Sequence, residues 1–66
     1  MKLLVNGVEQ DIEAATIAAA LIALRYEGGA TVATALNGEF VPARAREATL
    51  VKEGDRIEIL APRQGG

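Results

Sequence analysis

Apolar and polar residues alternate most cleanly near the carboxyl end. There Arg56-Ile57-Glu58-Ile59-Leu60 places Ile57 and Ile59 on one face and Arg56 and Glu58 on the other, the period of a half-buried strand. Glu53-Gly54-Asp55 ahead of it is a turn. At the other end, Met1 to Val5 is rich in strand formers and runs into Asn6-Gly7, a pair that accepts the positive φ a type I′ hairpin turn needs. The return strand, Val8 to about Ile12, carries Glu9, Gln10 and Asp11, which are poor strand formers. With a two-residue turn, Val5 opposes Val8, Leu3 opposes Gln10 and Met1 opposes Ile12. That puts a glutamine on the presumed buried face and leaves the register open.

Between these ends the period changes. Thr16 is placed as an N-cap, followed by Ala18, Ala19, Ala20 and Leu21 with high helix propensity. Ile17, Leu21 and Leu24 stand at i, i+4 and i+7, one helical stripe that should lie across the hairpin. Ile22 and the alanines fall off it, so the helix is apolar nearly all round; this reads as a contact surface or, more simply, as a short alanine-rich surface helix. Gly28-Gly29 is expected to end it. Val32 to Leu36 is a further strand, followed by a second Asn-Gly pair, Asn37-Gly38, and a short return through Phe40 and Val41. Pro42 cannot donate to a ladder, so that return should be brief or at an edge. From Ala43 to Thr49 the pattern loses its period, with Arg44, Arg46 and Glu47 in an irregular or single-turn connection, and Leu50 or Val51 returns to the core. These elements predict an α+β domain: a mixed sheet of four to five strands with one main helix packed on one face.

Composition narrows the chemistry. A chain of 66 residues removes only about 60% of its unfolded surface from water. It has no cysteine and no histidine, so neither a disulfide, a Cys/His metal site nor a thiol nucleophile supports it. With 50% apolar residues but one Phe, one Tyr and no Trp, the core must be aliphatic. A net charge of −2 argues against a phosphate-neutralising nucleic-acid surface. Arg44, Arg46, Lys52, Arg56 and Arg63 gather, but Glu47, Glu53, Asp55 and Glu58 intersperse them, as on a solvated face. The apolar run Ala14 to Leu24 is broken by Thr16 and falls short of the roughly 20 residues that cross a bilayer. No secretory leader is evident at Lys2 and beyond, so a cytoplasmic, non-membrane protein is expected. The carboxylates are scattered without a clear pairing and no phosphate-loop motif occurs; catalysis by the chain itself is not expected.

The remaining candidate is the tail, Ala61-Pro62-Arg63-Gln64-Gly65-Gly66. Two glycines have no side chain to pack and much backbone entropy to lose on ordering. They offer reach into a partner's channel, with the Gly66 carboxylate as the reactive group. Chance would end roughly one chain in 200 this way, so the ending alone does not decide. The expected division is a domain over residues 1–60 and a flexible tail over 61–66.

In order, Val5-Asn6-Gly7, Thr16-Ile17, Ala35-Leu36-Asn37-Gly38, Val41-Pro42, Glu53-Gly54-Asp55-Arg56-Ile57-Glu58-Ile59 and Gly65-Gly66 resemble the ThiS family, the sulfur carriers of thiamin thiazole biosynthesis, within the β-grasp or ubiquitin-like fold. The resemblance covers the whole chain. It departs after Val-Pro, where the family often has an arginine and, three residues later, an aromatic; here Ala43 and Arg46 stand, and no partner contact is carried over to this loop. The resemblance implies that an adenylyltransferase of the ubiquitin-activating type, using ATP and Mg²⁺, activates Gly66. A persulfide sulfur donor then gives a thiocarboxylate, and thiazole synthase takes the sulfur. Gly65 and Gln64 would enter the partner's active site, and the chain would bind no cofactor or metal itself. Within the fold, the alternatives are the molybdopterin-synthase small subunit and a ubiquitin-like modifier. From another class, the alternative is an interaction module with an inert tail that binds through a sheet face exposing Leu4, Leu60 or Phe40.

Overall fold

A computed structural model of the chain describes residues 1–26 and 31–61. Its elements are β1 (Lys2–Val5), β2 (Val8–Asp11), α1 (Ile17–Ala23), β3 (Ala33–Leu36), β4 (Glu39–Val41), a 3-10 turn (Ala43–Ala45) and β5 (Arg56–Leu60). The five strands form one mixed sheet in the order β2-β1-β5-β3-β4. β1 pairs antiparallel with β2 and parallel with β5, and β3 pairs antiparallel with both β5 and β4. The last strand thus occupies the centre. A parallel pair cannot be closed by a tight turn, so everything from β2 to the Glu53-Gly54-Asp55 turn serves as the crossover between β1 and β5.

Alternation sorts the sheet into two faces. Leu3, Val5, Thr34, Val41, Ile57 and Ile59 are buried on one side, with Ile17, Ala20 and Leu21 of α1 and with Ala14, Val32 and Val51 around them. Leu3, Ile17 and Ile57 are almost wholly inaccessible, each worth about 1.5–3 kcal/mol in burial. In so small a domain one such residue is a large share of the net stability. The helical stripe is Ile17, Ala20 and Leu21 with Leu24 half-buried, so Ala20 belongs to the core face rather than off it. Ile22 does project outward, at 77% exposure. Val51 is the residue that returns to the core, and Leu50 is left outside.

The hairpin register is Val5 opposite Val8 and Leu3 opposite Gln10. It places Gln10 on the inward side, but β2 is an edge strand and Gln10 is only half-buried, so its amide reaches water. The polar return strand is held by the ladder and by the Met1 amine, which donates to the Ile12 carbonyl at 3.0 Å and to Glu13 Oε2 at 3.0 Å. β4 has three residues and lies on the opposite edge, as Pro42 requires.

Every amide at the start of α1 has a partner. Ile17 N–H donates to Thr49 O, Ala18 N–H to Arg46 O, Ala19 N–H to Thr16 Oγ1 at 3.1 Å and Ala20 N–H to Thr16 O. The aperiodic connection after the 3-10 turn therefore caps the helix with its own carbonyls. At the other end the helix stops earlier than Gly28-Gly29, which lies outside the described residues. Leu24 is the C-cap, Arg25 sits at φ 65°, Arg25 N–H donates to Ile22 O and Tyr26 N–H to Leu21 O. This is a Schellman closure with arginine where glycine is usual. An L-residue in the left-handed region is strained by about 1 kcal/mol, so Arg25→Gly should raise stability by roughly 0.5–1 kcal/mol. Urea unfolding checks this, and a lower midpoint would refute the assigned closure.

Candidate functional site

β5 (Arg56–Leu60) precedes the candidate carboxyl-terminal residues in sequence, and two side chains hold it at its ends. Both Asn-Gly pairs adopt left-handed turns, with Asn6 at φ 52°, Gly7 at 83°, Asn37 at 51° and Gly38 at 88°. Their side chains do more than permit the turn. Asn6 N–H donates to Ile57 O, as a parallel ladder requires. β1 then turns away, and the Asn6 carboxamide replaces its next peptide: Ile59 N–H donates to Asn6 Oδ1 at 2.8 Å and Asn6 Nδ2 donates to Ile59 O at 3.0 Å. Asn37 does the same at the start of β5. It donates its N–H to Arg56 O, accepts Arg56 N–H on Oδ1 at 2.9 Å, and donates from Nδ2 to Asp55 Oδ1 at 3.1 Å. One asparagine clasps each end of the strand.

Asp55 completes the lower clasp. Its Oδ2 accepts Lys52 N–H at 2.9 Å, and Lys52 Nζ stands 3.4 Å from Oδ1. Burial alone would push this carboxyl up. The hydrogen bonds from Asn37 and from the Lys52 backbone and ammonium outweigh it and hold the pKa below the ordinary value of 3.8.

The outer sheet face carries the other notable feature. Phe40 and Leu60 are 70% and 65% exposed. They face the same way because Ala35 pairs with both Phe40 and Glu58, and Ala33 pairs with Leu60. With Ala33, Ala35 and Glu58 they line a shallow groove of about 360 Å³ beside the upper end of β5. Leu4 points to the same side but pairs with Arg56 at the other end of β5 and does not line the groove. The two lysines of the chain, Lys2 and Lys52, also lie toward that other end: Lys2 O accepts Gly54 N–H, and Lys52 Nζ meets Asp55, both just ahead of β5.

Gln64, Gly65 and Gly66 lie outside the described residues. Arg46 is a correction. It does not belong to a solvated basic face: it is 7% exposed, donates from Nε to Thr34 Oγ1 at 3.1 Å and from Nη2 to Val32 O. Thr34 Oγ1 in turn donates to Val41 O at 2.7 Å, so the guanidinium ties the 3-10 segment beneath β3. Among the described residues no cluster of metal-ligating side chains occurs, and no helix is long and apolar enough to cross a membrane.

Among the described residues, a five-stranded mixed sheet with one α-helix across a face, and with β1 and β5 paired in parallel at its centre, defines the β-grasp or ubiquitin-like fold. The chain matches the ThiS family over residues 3–66. It is similar to the crystal structure of the thiamine biosynthesis protein ThiS from Geobacter metallireducens, at 36% identity and a TM-score of 0.83, with all of both chains covered. It is equally similar to the solution structure of a thiamine biosynthesis protein from the same organism, again 36% identical with a TM-score of 0.83, covering all of this chain and 88% of that one. No curated protein sequence gives a match. The chain belongs to the ThiS family.

Asp55 supplies a pH test. A carboxyl whose folded pKa is depressed contributes stability that is present above its unfolded pKa and lost as pH falls through the folded one. The wild-type unfolding midpoint should therefore drop on acidification below 3.8. Asp55→Asn should cost about 1–3 kcal/mol near neutrality and show a smaller acid-dependent drop. Equal drops in both proteins would remove Asp55 from this role.

Proposed function

We propose that the chain is a sulfur carrier for thiamin thiazole biosynthesis and that the Gly66 carboxylate is its working group. A carboxylate resists attack until a good leaving group is attached. An adenylating partner of the ubiquitin-activating type supplies that group from ATP and Mg²⁺, forming the acyl-adenylate and releasing pyrophosphate. The outer sulfur of a persulfide donor attacks the carbonyl and displaces AMP, giving an acyl disulfide. A second thiol of the partner machinery then forms a disulfide with the donor's inner sulfur and releases the thiocarboxylate, which thiazole synthase uses as its sulfur source. Gln64 and Gly65 pass through the partner's channel, where glycine offers no side chain to obstruct the carbonyl. The chain is a co-substrate and not a catalyst.

The observation that carries this reading is the match to the ThiS family, which runs through Gly65-Gly66. The clasped β5 supports it, because a carrier must present a reaching tail from a base that does not yield. The groove at Phe40 and Leu60 supports it too, as apolar surface for a partner to cover at the end where β5 leaves the sheet.

Incubation with a ThiS-activating enzyme, ATP and a sulfur donor, followed by intact mass measurement, tests the proposal. The expected product has one terminal oxygen replaced by sulfur; an unchanged mass with tight partner binding would favour the inert interaction module. Deletion of Gly66 should abolish loading and leave the circular-dichroism spectrum and melting temperature nearly unaltered. A large loss of stability would count against a tail that is separate from the fold.

The outer face gives a separate expectation. Phe40→Asp and Leu60→Asp change exposed side chains and should move stability by no more than about 0.5 kcal/mol. Each should reduce the efficiency of loading roughly tenfold or more, chiefly through KM. Unchanged loading kinetics would show that the partner grips another surface.

A further inference from the structure

We propose that Asn6 and Asn37 are sites of spontaneous hydrolytic deamidation that the native fold keeps closed through the same hydrogen bonds that clasp β5. Each asparagine precedes a glycine, whose backbone nitrogen is unhindered because the residue has no Cβ. That nitrogen attacks the asparagine Cγ. The new N–Cγ bond forms as the Cγ–Nδ2 bond breaks, and ammonia leaves carrying the proton from the glycine nitrogen. Water then opens the cyclic imide at either carbonyl, giving aspartate or isoaspartate. Water is the one reagent consumed.

Burial does not protect these sites. Asn6 and Asn37 are exposed, and a Cβ built on Gly7 or Gly38 would meet nothing within 4 Å. What restrains them is orientation. The attack requires the carboxamide to swing onto the glycine nitrogen, whereas both its atoms are engaged with β5: Asn6 with Ile59 N–H and C=O, and Asn37 with Arg56 N–H and the Asp55 carboxylate. Two hydrogen bonds must open together before the reaction starts.

The products differ from the substrate where it matters. An aspartate at 6 still accepts from Ile59 N–H but has no N–H for the Ile59 carbonyl and sets a carboxylate against it. An aspartate at 37 faces the buried Asp55 carboxylate, a like-charge pair. An isoaspartate adds a methylene to the main chain and displaces the side chain from either clasp. Deamidation therefore releases β5 at its upper end through Asn6 or at its lower end through Asn37.

The test uses the intact chain, aged at mildly alkaline pH with and without denaturing urea. Proteolytic peptides spanning each Asn-Gly pair are then weighed for the unit mass gain that accompanies conversion of an amide to an acid. Reaction at both sites should be roughly tenfold or more slower in the folded chain, from the loss of two hydrogen bonds on opening. Equal rates in the two states would overturn the proposal. Asn6→Asp and Asn37→Asp, as mimics of one product, should lower the melting temperature. In hydrogen exchange, Asn6→Asp should accelerate the Ile59 amide more than the Arg56 amide, and Asn37→Asp the reverse. Unchanged exchange at both amides in both variants would likewise overturn it.

Discussion

A strand at the centre of a sheet satisfies its backbone on both edges, and here that strand is β5, the last in the chain. Its partners differ in direction, β1 parallel and β3 antiparallel, and both leave it through Asn-Gly turns. Because β1 runs with β5 and β3 runs against it, the two turns fall at opposite ends of β5. Each turn takes one ladder peptide away, and each asparagine carboxamide replaces it. A glycine in the same position would keep the left-handed turn but lose the rung. The choice of asparagine thus connects local turn chemistry to the closure of the whole sheet, since β5 is the element that joins the two hairpins.

The rest of the domain follows from having to cross from β1 back to a parallel neighbour. α1 covers the inner face during that crossing, and with only seven residues it cannot be sustained by propensity alone. Its stability comes from burying Ile17, Ala20 and Leu21 and from capping by the connection between the 3-10 turn and β5. That connection is ordered in return by what it gives: the carbonyls of Arg46 and Thr49 accept helix amides, and Val51 fills the core. Arg46 is the pin. Its side chain is buried, and its guanidinium donates to Val32 O and Thr34 Oγ1. A buried charge is costly without partners, and every buried side-chain polar atom among the described residues has one.

The alternation at Ile57 and Ile59, the two Asn-Gly turns, the Thr16 cap and the edge position forced by Pro42 were legible in the sequence, because each depends on residues within a few positions of one another. Arg46, the Arg25 closure and the carboxamide clasps were not. An arginine among acids reads as surface until the topology places it under a strand. An arginine in the left-handed region has no signature, since its strain is offset by contacts such as the half-buried Tyr26 that follows. Asn6 and Ile59 are neighbours only because β1 and β5 are parallel, which no local pattern announces. The outer groove was partly legible: Phe40 and Leu60 were candidates for an exposed face, but their convergence, and the exclusion of Leu4, depend on the register of β3 with both neighbours.

On the proposed function, this register would couple recognition to delivery. Glu58, Ile59 and Leu60 line one side of the groove, and the same backbone continues into the tail. The upper clasp holds Ile59 between the buried face and the grooved one, so a partner covering Phe40 and Leu60 grips a strand whose position along its axis is already set by Asn6. On the proposed reading, the reach from the gripped surface to the Gly66 carboxylate is then bounded by the number of residues between them and not altered by slippage of β5. A strand free to slide by one residue would reverse its faces, exposing Ile57 and Ile59 and burying Glu58. The aliphatic core therefore enforces the register that the asparagines terminate, and a small domain holds its central strand in one register without a larger scaffold.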